Sequence, residues 1–538
     1  MKNSRLIYLS ILSGLLLIPA WYEFGTGLIL LFSMIPLLWV EDYLYQNKAE
    51  HRPHKAFLYG AITFFTWNAG ATWWLWNASE AGMFMAFLIN SLQMSIVFWL
   101  FHITRRNTSS AIGYFALITY WLVFEHFYMN GEINWPWLNL GNGFANDIHI
   151  IQWYEFTGSF GGTLWILLVN ILGFSVLKHF ILNRNLRGKL ADTGILVTLI
   201  ALPIIISLIQ FGTYKEEINP KEIVVLQPNI DPYEDKFGGM DMSLQMDILL
   251  TLSDSFCTPE TDYIVAPETF INDNVWAHEM YSNRSIVRIY DSIRKNHKQA
   301  AFIVGLTYYQ LYTSADERTV TAQQIGKGDR YYDSYNAAIQ IDTFLIPQVY
   351  KKSKLVVGVE KMPYPEYLGF LRKITLRLGG TFRSHGVQDQ RENLYLHGDS
   401  TGISPVICYE SVFGEYVTDY IRKGSHFIFV ITNDGWWGDT PGYRQHHSFS
   451  RLRAIETRRS VARSANTGIS SLISQKGEIL QRTNYWEADA IRGSLNANDK
   501  LTFYTRHGDY IARIAYFFSL LIVLYTITRI LMSRKKTA

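Results

Sequence analysis

Apolar runs with few charges recur along the first 212 residues and once more near the C-terminus, at about 5–22, 24–40, 56–76, 82–104, 110–129, 160–182, 193–212 and 511–532. Each approaches the roughly 17–25 residues that an α-helix needs to cross a hydrocarbon core, so about eight transmembrane helices are expected. Between the seventh and eighth runs the pattern changes. Short β-branched stretches, "EIVVLQ", "YIVAPE", "AAFIVGLTYY", "YNAAIQI", "SPVICYE" and "HFIFVITND", alternate with helical periodicity at about 241–256, 283–296 and 443–459. That alternation predicts an α/β sheet domain. The chain is therefore read as a seven-helix transmembrane domain at 1–214, an inserted α/β domain at 215–505, and a C-terminal transmembrane helix with a basic tail at 506–538. No internal repeat is visible.

Charge sets the orientation. Lys48, Arg52 and Lys55 follow the second run, Arg105 and Arg106 the fourth, Lys178, Arg184, Arg187 and Lys189 the sixth, and Arg534, Lys535 and Lys536 the eighth. The alternate connections, Glu125 to Phe160 among them, carry no Lys or Arg. Basic residues favour the cytoplasmic side, so both termini are expected there and the α/β domain on the opposite side. The first run opens with Lys2 and Arg5 like a signal peptide, but no small-residue cleavage site follows, and it reads as a retained anchor. Net charge is +3 over 538 residues, without a basic stripe that would suit nucleic acid.

Functional side chains close several of the β runs, where α/β sheets place their sites. Glu268 ends "YIVAPE", Cys408 ends "SPVIC", and Asn433 with Asp434 ends "FIFVITND". Between them lies "YKKSKLVVGVEKMPY" with Lys352 and Glu360. A thiol, a lysine and carboxylates that converge can run acyl transfer: the thiol attacks, a carboxylate takes its proton, and an ammonium stabilises the developing oxyanion. Only two cysteines are present, Cys257 and Cys408, and in an oxidising compartment a disulfide between them is the competing reading. His446 and His447 lack the spacing of a metal motif and are read as helix residues. The Trp-rich "WNAGATWWLWNASE" is read as an aromatic belt, and Glu125 receives no role.

"YIVAPET", "YKKSKLVVGVEKMPY", "PVICYES" and "ITNDGWWGDTPGYRQHHSFSRLRAIETRRSVARSANTGIS" occur in the order seen in nitrilase-superfamily domains. With "NWPWLNLGN" and seven spans before and one after the soluble domain, the chain resembles the apolipoprotein N-acyltransferase family over essentially its whole length. The resemblance implies an αββα nitrilase-like sandwich outside the cytoplasm of a bacterial inner membrane, in the periplasm. It implies Glu268 as general base, Lys352 as oxyanion stabiliser and Cys408 as nucleophile, with Glu360, Tyr409 and Glu410 as supporting residues. Lys352 is selected by aligning "YKKSKLV" to the family's Tyr-x-Lys-x-x-Leu-Val. The implied partners are a phospholipid acyl donor, a diacylglyceryl apolipoprotein acceptor and the bilayer, with a monomeric enzyme, no metal and no cofactor.

Two departures stand out. Val357, Gly358 and Val359 occupy the place of the family's Pro-Phe-Gly, and Phe237 stands where the family often has tryptophan. Glu360 and Glu410 could instead form surface ion pairs. A membrane-anchored amidase using water as second substrate, and a non-enzymatic membrane scaffold, remain the alternatives. The stretch 366–400 reads as a loop or lid with basic amphipathic character.

Overall fold

The computed structural model describes residues 2–236, 239–344, 347–362, 364 and 384–537. Phe237 and most of the expected lid, 366–383, lie outside the described residues. The chain divides into two compact units, one of residues 1–76, 80–213 and 507–538, the other of 77–79 and 214–506.

The first unit is helical. Helices fall at each of the eight apolar runs, and among the described residues six segments are long and apolar enough to cross a membrane: Asn3–Trp21, Gly27–Gln46, Glu80–Asn107, Tyr154–Asn183, Arg187–Thr213 and Tyr510–Ser533. The other two, His54–Thr72 and Ser110–Asn130, are diluted by polar and aromatic residues that face the interior of the unit. Asn68 donates to the Phe64 carbonyl at 2.9 Å and accepts from Asn90 at 3.0 Å, so its amide is answered without water. The second run breaks near Met34, and Asn170 accepts from the freed Met34 amide at 2.8 Å. The sixth begins at Tyr154, earlier than the apolar pattern indicates, because Gly158 (φ 60°) joins two helical pieces across a kink.

Several buried charged groups of this unit form one ionic cluster. Arg105 donates to Glu41 and, at 2.8 Å, to Asp42, while Lys178 reaches Asp42 at 2.6 Å and His102 lies 2.7 Å from Glu41. Glu125 is buried: its carboxylate accepts from Trp121 at 3.0 Å, the Leu140 amide at 2.7 Å and Thr163 at 2.7 Å. It fastens the "NWPWLNLGN" loop to two helices. In the Trp-rich stretch Trp67 and Trp74 are core residues, and only Trp73 and Trp76 are exposed as a belt requires.

The second unit stacks two sheets. The first has the order β14 (Asp489–Asn496), β1 (Pro220–Gln227), β2 (Thr261–Val265), β4 (Ala301–Tyr312), β6 (Tyr331–Ile341) and β5 (Gln323–Gln324), with β3 (Ile271–Trp276) on β4 and β7 (Gln348–Lys351) on β6. The second runs β13 (Ile479–Arg482), β12 (Ser471–Ile473), β11 (Ser460–Ala465), β10 (Ser425–Thr432), β9 (Gly402–Ile407) and β8 (Leu394–Tyr395). The central strands read as continuous apolar runs because both faces are covered. Val224, Leu226, Ile264, Phe302 and Ile339 pack with Met246, Leu249, Ile286 and Ile289 of helices Met242–Phe256 and Arg284–Asn296. The opposite face meets the second sheet, where the Tyr263 ring stands edge-on to Phe429 at 5.3 Å. Helices Gly414–Arg422 and Pro441–Thr457 cover the second sheet and complete an αββα sandwich.

Candidate active site

Parallel pairing of β2 with β4, and of β10 with β9 and β11, aligns several strand ends. Glu268 follows β2 in a tight turn. The Ala266 amide donates to the Ile303 carbonyl at 2.8 Å, Gly305 donates to Pro267 at 3.0 Å, and Thr269 takes a left-handed φ of 46°. Gly305 is obligatory here, since a Cβ on it would lie 2.5 Å from the Glu268 Cα.

Lys352 follows β7, its amide donating to the Asn336 carbonyl of β6 at 2.8 Å. Its buried ammonium donates to Glu268 Oε1 at 3.0 Å and Glu360 Oε1 at 2.8 Å. Lys351 points the other way, over the rings of Tyr308 and Tyr335. Burial alone would lower the Lys352 ammonium, but the Glu268 and Glu360 carboxylates outweigh it and hold it well above the ordinary lysine range. Glu360, resisting its own burial, is drawn below the usual carboxylate range by Lys352. Its other oxygen accepts the Val356 amide at 2.8 Å, and Gly358 (φ 84°) closes the turn that brings it back. The Val-Gly-Val sequence thus still turns, with glycine at the position that needs a positive φ.

Cys408 follows β9 in a left-handed conformation, φ 49°, and opens a short 3₁₀ turn, Cys408–Val412. A non-glycine residue there stores strain on the order of 1 kcal/mol, which the surroundings must hold. Ser411 donates to the Cys408 carbonyl at 2.7 Å, and His446 Nε2 lies 3.2 Å from the same oxygen. Burial pushes the thiol well above its ordinary value and the Glu268 charge adds to the rise, while Lys352 opposes both. At rest the sulfur is a thiol.

Glu410 is a hub inside the domain. One oxygen accepts from the Ser353 amide at 2.7 Å and from Tyr350 and Tyr416 at 2.9 and 2.5 Å, and the other from the Ile407 amide at 2.9 Å. It joins the segment after β7 to the turn at Cys408, and burial raises its carboxyl. Tyr409 is buried with its ring edge-on to Phe413 at 5.1 Å. The surface-pair readings of Glu360 and Glu410 are set aside, because both accept backbone amides in the interior. Both cysteines are free, and Cys257 lies 3.6 Å from Ser253 Oγ.

Asn336 and Asn433 complete the group. Asn336 Nδ2 donates to Glu268 at 2.7 Å and Glu360 at 2.9 Å, and the Asn433 amide lies 3.2 Å from Glu268 Oε2. Asn336 escaped the sequence reading, although an amide within the apolar run "YNAAIQI" was its one signal. A cavity of about 380 Å³ opens on Glu268, Asn336, Glu360, Asn433 and Trp436. Cys408 Sγ, an Asp434 oxygen and a His446 nitrogen lie within 4.8 Å of one another, a separation that would admit a metal ion. Asp434, however, is taken by Arg463 at 2.6 Å, His446 at 2.8 Å and Thr432 at 2.7 Å. Those carboxylate oxygens already act as acceptors for the turn's own support.

A two-sheet sandwich with these strand-end groups defines a carbon-nitrogen hydrolase domain, and the profile described as "Carbon-nitrogen hydrolase" matches residues 241–499. Saccharomyces cerevisiae Nit3, a member of branch 10 of the nitrilase superfamily, is similar at 13% identity and TM-score 0.36, over 52% of this chain and 90% of that one. The membrane unit narrows the class, since residues 13–172 match the "Apolipoprotein N-acyltransferase N-terminal domain". Over nearly its whole length the chain is similar to apolipoprotein N-acyltransferases. It is 27% identical to the apolipoprotein N-acyltransferase of Chlorobaculum tepidum over 95% of this chain and 94% of that protein, and 24% identical to that of Thermotoga maritima over 94% and 90%.

Proposed function

We propose that this protein moves an acyl chain from a phospholipid, through a thioester on Cys408, to the α-amino group of the S-diacylglyceryl-cysteine that begins an apolipoprotein. The observation that carries the reading is the hydrogen-bonded group of Glu268, Lys352, Glu360 and Asn336, electrostatically coupled to a free thiol held in a strained turn. Relatives matched over nearly the full length bear the name of that reaction.

In the first half-reaction the Cys408 sulfur attacks the ester carbonyl as Glu268 takes the thiol proton. The carbonyl oxygen becomes an oxyanion beside the Lys352 ammonium. Collapse breaks the acyl C–O bond, and the lysophospholipid alkoxide leaves with the proton from Glu268. In the second half the acceptor amine attacks the thioester carbonyl, Glu268 takes a proton from nitrogen, and the C–S bond breaks as Glu268 passes that proton to sulfur, giving an amide and the thiol. Because the resting sulfur is protonated, the base acts within each turnover, a step that typically supplies 10²–10⁴-fold. Glu360 keeps Lys352 charged and aimed.

The one-sided Lys and Arg distribution supports cytoplasmic termini and a 215–505 domain on the opposite, periplasmic side of the inner membrane. Intact-protein mass measurement after incubation with phosphatidylethanolamine vesicles tests the chemistry. One acyl chain should appear on Cys408 and leave when a diacylglyceryl peptide with a free amine is added. Release of fatty acid to water with no peptide amide would favour the amidase-like alternative instead.

A further inference from the structure

Lys236 is buried beside the same turn that carries Glu268. Its ammonium donates to the Glu268 carbonyl oxygen at 2.9 Å and to Thr269 Oγ1 at 3.1 Å. Its own backbone is fixed as well, for the carbonyl accepts from Asn272 and, at 3.2 Å, from Gln245, and the amide donates to Asp231 at 2.9 Å. The titratable groups that act on the ammonium are the Glu268 carboxylate and the Cys408 thiol. Lys352 faces that thiol too, so the sulfur has two buried cations within electrostatic reach.

We propose that Lys236 is a positioning residue and second cation of this site: it clamps the left-handed Glu268–Thr269 turn and favours the negative charge that Cys408 acquires as it reacts. The inference deepens the acyl-transfer reading and rests on it for its purpose, though its test does not. Lys352 is tied up by two carboxylates that largely neutralise it. Lys236 donates to the Glu268 carbonyl oxygen and the Thr269 hydroxyl, neither of which carries a charge. Burial lowers its ammonium to about 8 against the pull of Glu268 and Cys408, so this charge fades just above neutral pH.

The test uses the full-length chain with Cys257→Ala in detergent, alkylating Cys408 with iodoacetamide from pH 7 to 9.5 and reading the intact mass. K236M should react about tenfold more slowly at pH 7.5, the effect of one unit in thiol ionisation, and the deficit should narrow toward pH 9.5 as the parent's lysine discharges. K236R keeps its charge, so its rate should climb above the parent's between pH 8 and 9.5. In the parent itself the logarithm of the rate should rise less than one for one with pH over that interval. A K236M deficit that is constant with pH, superimposable parent and K236R profiles, or a parent curve of unit slope each overturns the proposal. Acylation by phosphatidylethanolamine vesicles is scored separately. A parent that alkylates as expected yet forms no acyl-enzyme refutes the proposed function and leaves the role of Lys236 standing.

Discussion

Asn336 and Lys352 donate to the same two oxygens, Glu268 Oε1 and Glu360 Oε1, at distances between 2.7 and 3.0 Å. The amide fixes the spacing of the two carboxylates without adding charge. Asn336→Ala should lower the single-turnover rate of Cys408 acylation about 100-fold, the usual cost of a misplaced reacting group. Asn336→Asp should lower it further, because a third carboxylate repels the other two and competes for the Lys352 ammonium. Parental rates in Asn336→Asp would refute this account of the group.

Gly305 sets the approach of β4 to the Glu268 turn. A Cβ there would meet the Thr269 nitrogen at 2.4 Å and the Glu268 Cα at 2.5 Å, both backbone atoms that cannot step aside. Gly305→Ala should destabilise the α/β unit by about 1–3 kcal/mol and reduce acylation together with stability. Thermal unfolding followed beside activity checks it.

The two thiols should differ in chemistry. Burial raises both thiols, Cys257 to about 11, but the charges of Glu268 and Lys352 act on Cys408, whereas Cys257 meets those of Asp254 and Glu222. Cys257→Ala should acylate at the parental rate, whereas Cys408→Ala should take no acyl chain. Cys408→Ser should fall by at least about 100-fold, since a hydroxyl resists ionisation and the base here is a carboxylate. Labelled phospholipid followed by hydroxylamine release measures all three.

His447 supplies a pH dependence of stability. It is buried 2.9 Å from Ser471 Oγ, and burial followed by the charges of Arg463, Arg451 and Arg482 depresses it well below the ordinary histidine range. The folded form holds it neutral while the unfolded chain binds a proton near 6.5. Its contribution is therefore complete above that value and is lost as pH falls below it, by at most about 1.4 kcal/mol per pH unit. Melting temperature should drop from pH 7 to 5.5, and His447→Gln should flatten the drop. An unchanged slope in that variant would remove His447 as the cause.

Much of the α/β unit was legible because buried parallel strands are nearly continuous apolar runs, as "EIVVLQ" and "HFIFVI" are in β1 and β10. The half-exposed β13 and β14, "ILQR" and "DAIRGSLN", carry no such run, and only their pairing in the fold makes them strands. Glu268, Lys352, Glu360 and Cys408 were readable as polar groups at or after strand ends. Asn336 and Lys236 were not. Asn336 meets carboxylates 68 and 24 residues away, and Lys236 meets the Glu268 carbonyl 32 residues on, relations that no local spacing encodes.

The buried ionic cluster of the helical unit bears on how the chain is made. Glu41 and Asp42 leave the ribosome well before their partners, since Arg105 follows Asp42 by 63 residues and Lys178 by 136. The cluster is therefore complete only once Glu80–Asn107 and, last, Tyr154–Asn183 have been made.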